Sequence, residues 1–77
     1  MLKKQWEALI VLCDNGLQIQ EDAELYNMKG RAEGKLGNLK SKIELVEKAI
    51  ELNPKSAAYY RNLGSTQYKL KKYELAL

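Results

Sequence analysis

Apolar residues recur along this chain at intervals of three and four, and no stretch alternates apolar and polar positions with a period of two. That spacing predicts helices throughout and no strands. Trp6, Leu9, Ile10, Leu12, Cys13 and Leu17 form one apolar stripe, which places a first helix over about residues 5–20. Asn15-Gly16 weakens it locally, and the polar run Gln20-Glu21-Asp22 ends it. Asp22 is positioned to cap a second helix, with Glu24 in its first turn, because carboxylates satisfy and attract the unpaired amides of a helix start. Leu25, Tyr26, Met28, Ala32 and Leu36 carry that helix to a stop at Gly37-Asn38. A third bears Leu39, Ile43, Leu45, Val46, Ala49, Ile50 and Leu52 and stops at Asn53-Pro54, since the residue before proline is pushed out of the helical region. Ser56 caps a fourth, marked by Tyr59, Tyr60, Leu63, Tyr68 and Leu70. Lys71-Lys72 is expected to turn the chain, with a fifth helix beginning at Tyr73 and running to Leu77.

The pattern also repeats. A shift of 34 residues lays Ala23 on Ala57, Tyr26 on Tyr60, Gly30 on Gly64, Lys35 on Lys69 and Leu36 on Leu70. A shift of 33 lays Trp6 on Leu39, Leu12 on Leu45, Cys13 on Val46 and Leu17 on Ile50. The segments 2–9 and 70–77 are near copies. Periodicity of this length is the mark of a helical solenoid, whose units bury their apolar faces against one another.

Size makes that stacking necessary. A chain of 77 residues is one domain at most, and it buries only about 60–65% of its unfolded surface. With one cysteine, Cys13, and no histidine, it has neither an internal disulfide nor a standard zinc site. Its stability must come from well-packed helices or a partner. The net charge of +3 is unevenly spread: residues 1–34 carry four basic and six acidic residues, or −2, and residues 35–77 carry nine and four, or +5. This polarity bears on the choice of partner. It falls short of a nucleic-acid binder, because Glu44, Glu47 and Glu51 dilute the basic half.

The N-terminus has the outline of a lipoprotein leader, positive at Lys3-Lys4 and then apolar from Ala8 to Cys13. The apolar run is too short, Trp6 and Glu7 interrupt its approach, and Leu12 is too bulky for a cleavage site. No segment approaches the ~18 apolar residues of a membrane span, so the expected setting is soluble and cytoplasmic, with no membrane partner.

At Asn62-Leu63-Gly64 following Tyr59-Tyr60, at Tyr73 with Ala76, and at Glu47-Lys48-Ala49-Ile50-Glu51-Leu52-Asn53-Pro54, the chain resembles the tetratricopeptide repeat family. The resemblance implies an all-α, right-handed stack of antiparallel helix hairpins. Residues 1–22 would be the second helix of a partial repeat, 23–56 a complete repeat, and 57–77 a partial repeat broken within its second helix. Gly30 and Gly64 would then mark close approach within a pair, and Ala49 the close approach between units. A large side chain at Gly64 would cost several kcal/mol, whereas one at Gly34, placed towards the groove, would cost little. Lys29 and Lys42 depart from the family, standing where Leu and Ala are usual; their stems can pack while their ammonium groups stay in water.

The resemblance also implies a protein-binding scaffold without catalytic activity, its concave groove lined by the first helix of each pair. The inward positions are Glu24, Asn27, Arg31, Gly34, Lys35, Ala58, Arg61, Ser65, Tyr68 and Lys69. Asn27, Arg31, Lys35, Arg61, Ser65, Tyr68 and Lys69 are the candidate peptide-binding residues. Their basic excess suits an acidic peptide, because Arg grips a carboxylate with two hydrogen bonds; the competing reading is a solvated charged face. The family's carboxylate-clamp pattern is matched only by Asn27, Asn62 and Arg61, too few to assign that function.

No catalytic, cofactor-binding or metal-binding set emerges. Cys13 lies on the apolar stripe with no histidine to serve as its base, and Asp14 near Gly16 lacks the alternating oxygens of a calcium loop. Trp6 and the five tyrosines are expected in the core, and Lys40, Glu44 and Lys48 are spaced for helix ion pairs. The alternative function is a segment of a larger multidomain protein or enzyme whose activity lies elsewhere. By the repeat pattern, the first and fourth helices each lack a partner. Helix 57–71 of one copy is therefore expected on helix 5–19 of another, as a head-to-tail homo-oligomer.

Overall fold

The computed structural model describes residues 3–76, which form four α-helices: α1 (Lys3–Ile19), α2 (Ala23–Lys35), α3 (Leu39–Leu52) and α4 (Ala57–Ala76). Each helix packs against the next in sequence, giving the expected stack of antiparallel hairpins. No described helix is long and apolar enough to cross a membrane.

The helix boundaries follow from local chemistry. Asp22 accepts hydrogen bonds from the amides of Glu24 (2.8 Å) and Leu25 (3.3 Å), so α2 starts where its cap residue predicts. At its end Gly37 takes φ +92°, Gly37 N–H donates to Gly34 C=O, and Asn38 N–H donates to Glu33 C=O at 2.9 Å. This paired closure needs a left-handed residue, and glycine supplies it without steric cost. Pro54 follows the end of α3, and Ser56 Oγ accepts from the Tyr59 amide at 3.4 Å at the start of α4.

The turn expected at Lys71-Lys72 does not form, and α4 runs straight to Ala76. The shift of 34 that pairs Gly30 with Gly64 puts Lys71 opposite Gly37. A lysine pays a steric penalty at positive φ and is a good helix former, so the copy loses the residue that closed α2. Leu77, assigned to the fifth helix, lies outside the described residues, as do Met1 and Leu2 of the near-copied segment.

The core gathers Val46, Ala49 and Tyr59, the first two with no exposure, and Ala23, Tyr26, Ile50 and Leu63 pack against it. Cys13 and Ala32 are also buried, and burial together with Asp14 pushes the Cys13 thiol pKa up. Gly30 lies where a Cβ would meet Leu45 Cβ at 3.3 Å and Val46 Cγ2 at 3.4 Å, so α2 and α3 approach closely there. Gly64 differs, for nothing lies within 4 Å of the same point. The close contact expected at Gly64 is absent because no described helix covers that side of α4. Several apolar side chains share this fate. Leu12, expected on the buried stripe, is 67% exposed, and Tyr60, Tyr68 and Tyr73 lie more than half exposed rather than in the core. Nor do Lys40, Glu44 and Lys48 pair; exposed chains lose as much entropy as such contacts return. Among the described residues the ion pair is Lys29 Nζ with Asp14 Oδ1 at 2.6 Å, which ties the unusual Lys29 of α2 to α1.

These contacts keep the sensitivity expected at Gly30 and remove the one expected at Gly64. Gly30→Leu should destabilise the chain by about 1–3 kcal/mol through overpacking. Gly64→Ala should stabilise it by up to ~1 kcal/mol through helix propensity. Urea unfolding followed by circular dichroism checks both, and equal losses at the two positions would contradict the packing described.

Candidate functional site

Two hydrogen bonds span α2 and α4. Tyr59 donates its hydroxyl to Glu24 Oε2 at 2.9 Å, and Asn62 Nδ2 donates to Asn27 Oδ1 at 3.0 Å. Each joins residues 35 apart, one more than the repeat, so the bonds hold equivalent faces of the two helices side by side. Asn27 is buried, and its remaining amide N–H groups can serve a ligand. Burial, and then the bond to Glu24, raise the pKa of Tyr59.

Above this bridge lies a cavity of about 370 Å³, open between α2 and α4 with the start of α3 as its floor. From α2 it takes Asn27, Arg31, Gly34 and Lys35; from α3, Leu39 and Lys42; from α4, Ala58, Asn62 and Lys69. Of the seven residues expected to bind a peptide, Asn27, Arg31, Lys35 and Lys69 meet at this cavity. Arg61, Ser65 and Tyr68 are exposed on α4 outside its lining, and Tyr68 has the Lys72 ammonium over its ring at 5.6 Å.

The expected lining lacked Leu39, Lys42 and Asn62, and of these Lys42 alone carries a charge. It belongs to α3, the second helix of its pair, yet its side chain passes Gly34 to reach the groove. A Cβ added at Gly34 would stand 2.6 Å from Lys42 Cδ. Gly34 is therefore not open space, contrary to its sequence reading; it leaves the gap that the lysine stem fills. The signal was present in the sequence as a lysine at a usually small position, eight residues after a glycine. Desolvation lowers the Lys42 pKa, and the neighbouring Lys69, Lys35 and Arg31 lower it further.

Most of the carboxylates of this region gather elsewhere. A separate cavity of about 500 Å³ along α2 and α3 collects Glu33, Glu44, Glu47 and Glu51, with Lys29 and Lys48 among them. The acidic residues expected to dilute the basic half therefore do not line the basic groove. Among the described residues no group of His, Cys, Asp and Glu is arranged to hold a metal ion.

Stacked helix hairpins enclosing a charged groove define a helical repeat protein. Two family models described as Tetratricopeptide repeat match the chain, one over residues 23–56 and the other over 45–77. The chain belongs to the tetratricopeptide repeat family. Members of this family are generally protein–protein interaction modules and typically non-catalytic scaffolds. No curated protein and no solved structure matches the chain.

The charge of Lys42 opposes folding. Its proton is held less tightly in the folded chain than in the unfolded one, so unfolding takes up protons between the two pKa values. Its contribution to stability therefore rises as pH climbs towards the ordinary value of 10.5. Lys42→Met should be more stable than the parent at neutral pH, and the gap should close at high pH. Urea unfolding of both chains at the two pH values measures this, and Tyr26 and Tyr59, which titrate in both, cancel in the difference.

Proposed function

We propose that this chain is an interaction scaffold whose groove between α2 and α4 binds an acidic peptide segment. The observation that carries the reading is the convergence of Arg31, Lys35, Lys42 and Lys69 on one cavity with no carboxylate in its lining. Charge-assisted hydrogen bonds from these groups suit acidic side chains or a peptide carboxylate, and the Asn27–Asn62 bridge offers neutral donors beside them. Arg61 and Ser65 extend the polar surface of α4 beyond the cavity. The proposed setting is the cytoplasm, and the module can equally serve as the binding segment of a larger multidomain protein or enzyme. An acidic peptide should bind more weakly as salt rises, and at least tenfold more weakly to the double variant Arg31→Glu, Lys69→Glu. Calorimetric titration checks this; unchanged affinity in the folded variant refutes the basic groove.

A second reading, self-association, is favoured by two uncovered faces. On α1 the exposed stripe includes Val11 (57%), Leu12 (67%) and Ile19 (88%). On α4 Tyr60 (51%) and Tyr68 (64%) flank the open Gly64. Leu12 aligns with Leu45, and Gly64 with Gly30, which meet in the α2–α3 hairpin. Leu12 of one copy over Gly64 of another would repeat that contact head to tail, forming a ring or filament. The apparent mass from light scattering should rise with concentration and stop rising in Leu12→Lys; a strict monomer at high concentration refutes the contact.

A further inference from the structure

The Lys42 ammonium sits where a single carboxylate is a poor match. Arg31 and Lys35 of α2 and Lys69 of α4 line the same cavity and act on the Lys42 charge. Among the described residues the ion pair joins Lys29 to Asp14, so none of these four cations has a carboxylate partner. The four come from three different helices, so the fold itself gathers them at one cavity. One carboxylate brings a single negative charge to this ring. A phosphate monoester brings nearly two at neutral pH and three acceptor oxygens, enough to engage donors from α2, α3 and α4 together.

We propose that the floor of the groove is a phosphate subsite, and that the peptide it takes carries a phosphorylated serine or threonine seated over Lys42. The proposal rests on the acidic-peptide reading of the groove and names the group that reading leaves open. Lys42 is the specificity-determining residue. It is the one cation of the ring carried by α3, so it alone approaches from beneath the ligand, through the gap left by Gly34. An anion on the floor reverses the loss of proton affinity that Lys42 suffers from burial and from Lys69, Lys35 and Arg31. A nucleic acid is the poorer match. Its diesters carry one charge per phosphate, and the groove lining holds no aromatic side chain on which a base can stack.

The test is an NMR-monitored titration of the full chain with one neutral peptide in three forms, carrying serine, glutamate or phosphoserine at a central position. Inorganic phosphate and a single-stranded oligonucleotide are run in parallel. The phosphoserine form should bind roughly tenfold tighter than the glutamate form, and the glutamate form tighter than the serine form. The side-chain amides of Asn27 and Asn62 and the Gly34 amide should move on binding. Lys42→Met, which keeps the packed stem, should erase the preference for phosphoserine over glutamate while the helical circular dichroism is retained, and Lys42→Arg should restore it. Equal affinity for the glutamate and phosphoserine forms, or a preference that survives Lys42→Met, overturns the phosphate subsite and leaves the acidic groove standing. Binding of none of the peptides overturns both. Inorganic phosphate or the oligonucleotide binding more tightly than the phosphopeptide overturns the choice of a peptide as carrier.

Discussion

The close approach of α2 to α3 at Gly30 governs the rest of the molecule. A Cβ there would press on Leu45 and Val46 at 3.3–3.4 Å, so hydrogen in place of a side chain sets the distance between the two helices. That distance lets Val46 and Ala49 lose all exposure and gives Tyr59 of α4 a surface on which to pack. Tyr59 then reaches Glu24, and Asn62 reaches Asn27, so α4 is placed over α2 by a contact made on the far side of the hairpin. The groove exists because these two helices stand side by side at a fixed separation. In a chain this short, with a single cysteine and so no internal disulfide to hold it, such nearest-neighbour contacts carry much of the stability.

The two copies of the repeat show how much one residue decides. Gly37 closes α2 in a left-handed conformation, and the chain turns back into α3. Lys71 occupies the same place in the second copy, and α4 continues without a turn. Consequently no described helix folds back onto the face of α4 that holds Gly64, Tyr60 and Tyr68, although the equivalent face of α2 is covered. The apolar pattern is nearly the same in both copies; the outcome differs because pattern specifies which face is sticky, while turn chemistry specifies whether anything arrives to cover it.

The groove owes its character to a pair of departures that support one another. Gly34 gives up a side chain on the inner helix, and Lys42 uses the gap to bring a charge from the outer helix to the inner surface. Meanwhile Glu33, Glu44, Glu47 and Glu51 gather on a different surface of the same hairpin. A chain with a net charge of only +3 thereby presents a wholly basic cavity. The cost is the lowered proton affinity of Lys42, a burden on folding that an anion bound there would relieve. The fold tolerates this because the lysine stem is packed even where its charge is not neutralised.

The sequence by itself determined the helices, the Asp22 cap, the stops at Gly37 and Pro54 and the repeat that places α2 and α4 in equivalent roles, because these depend on residues near one another in the chain. Its resemblance to the repeat family also pointed to Asn27, Arg31, Lys35 and Lys69, which meet at the cavity between α2 and α4. Only the tertiary structure decided which faces are covered. Leu12 and Leu45 are alike in pattern, yet Leu45 meets Gly30 and Leu12 meets solvent. It also decided that Lys42 reaches the groove from the wrong helix, that Glu44, Glu47 and Glu51 stay away from it, and that Arg61, Ser65 and Tyr68 lie beyond its rim. Those outcomes turn on distances between segments far apart in sequence, which local spacing does not encode.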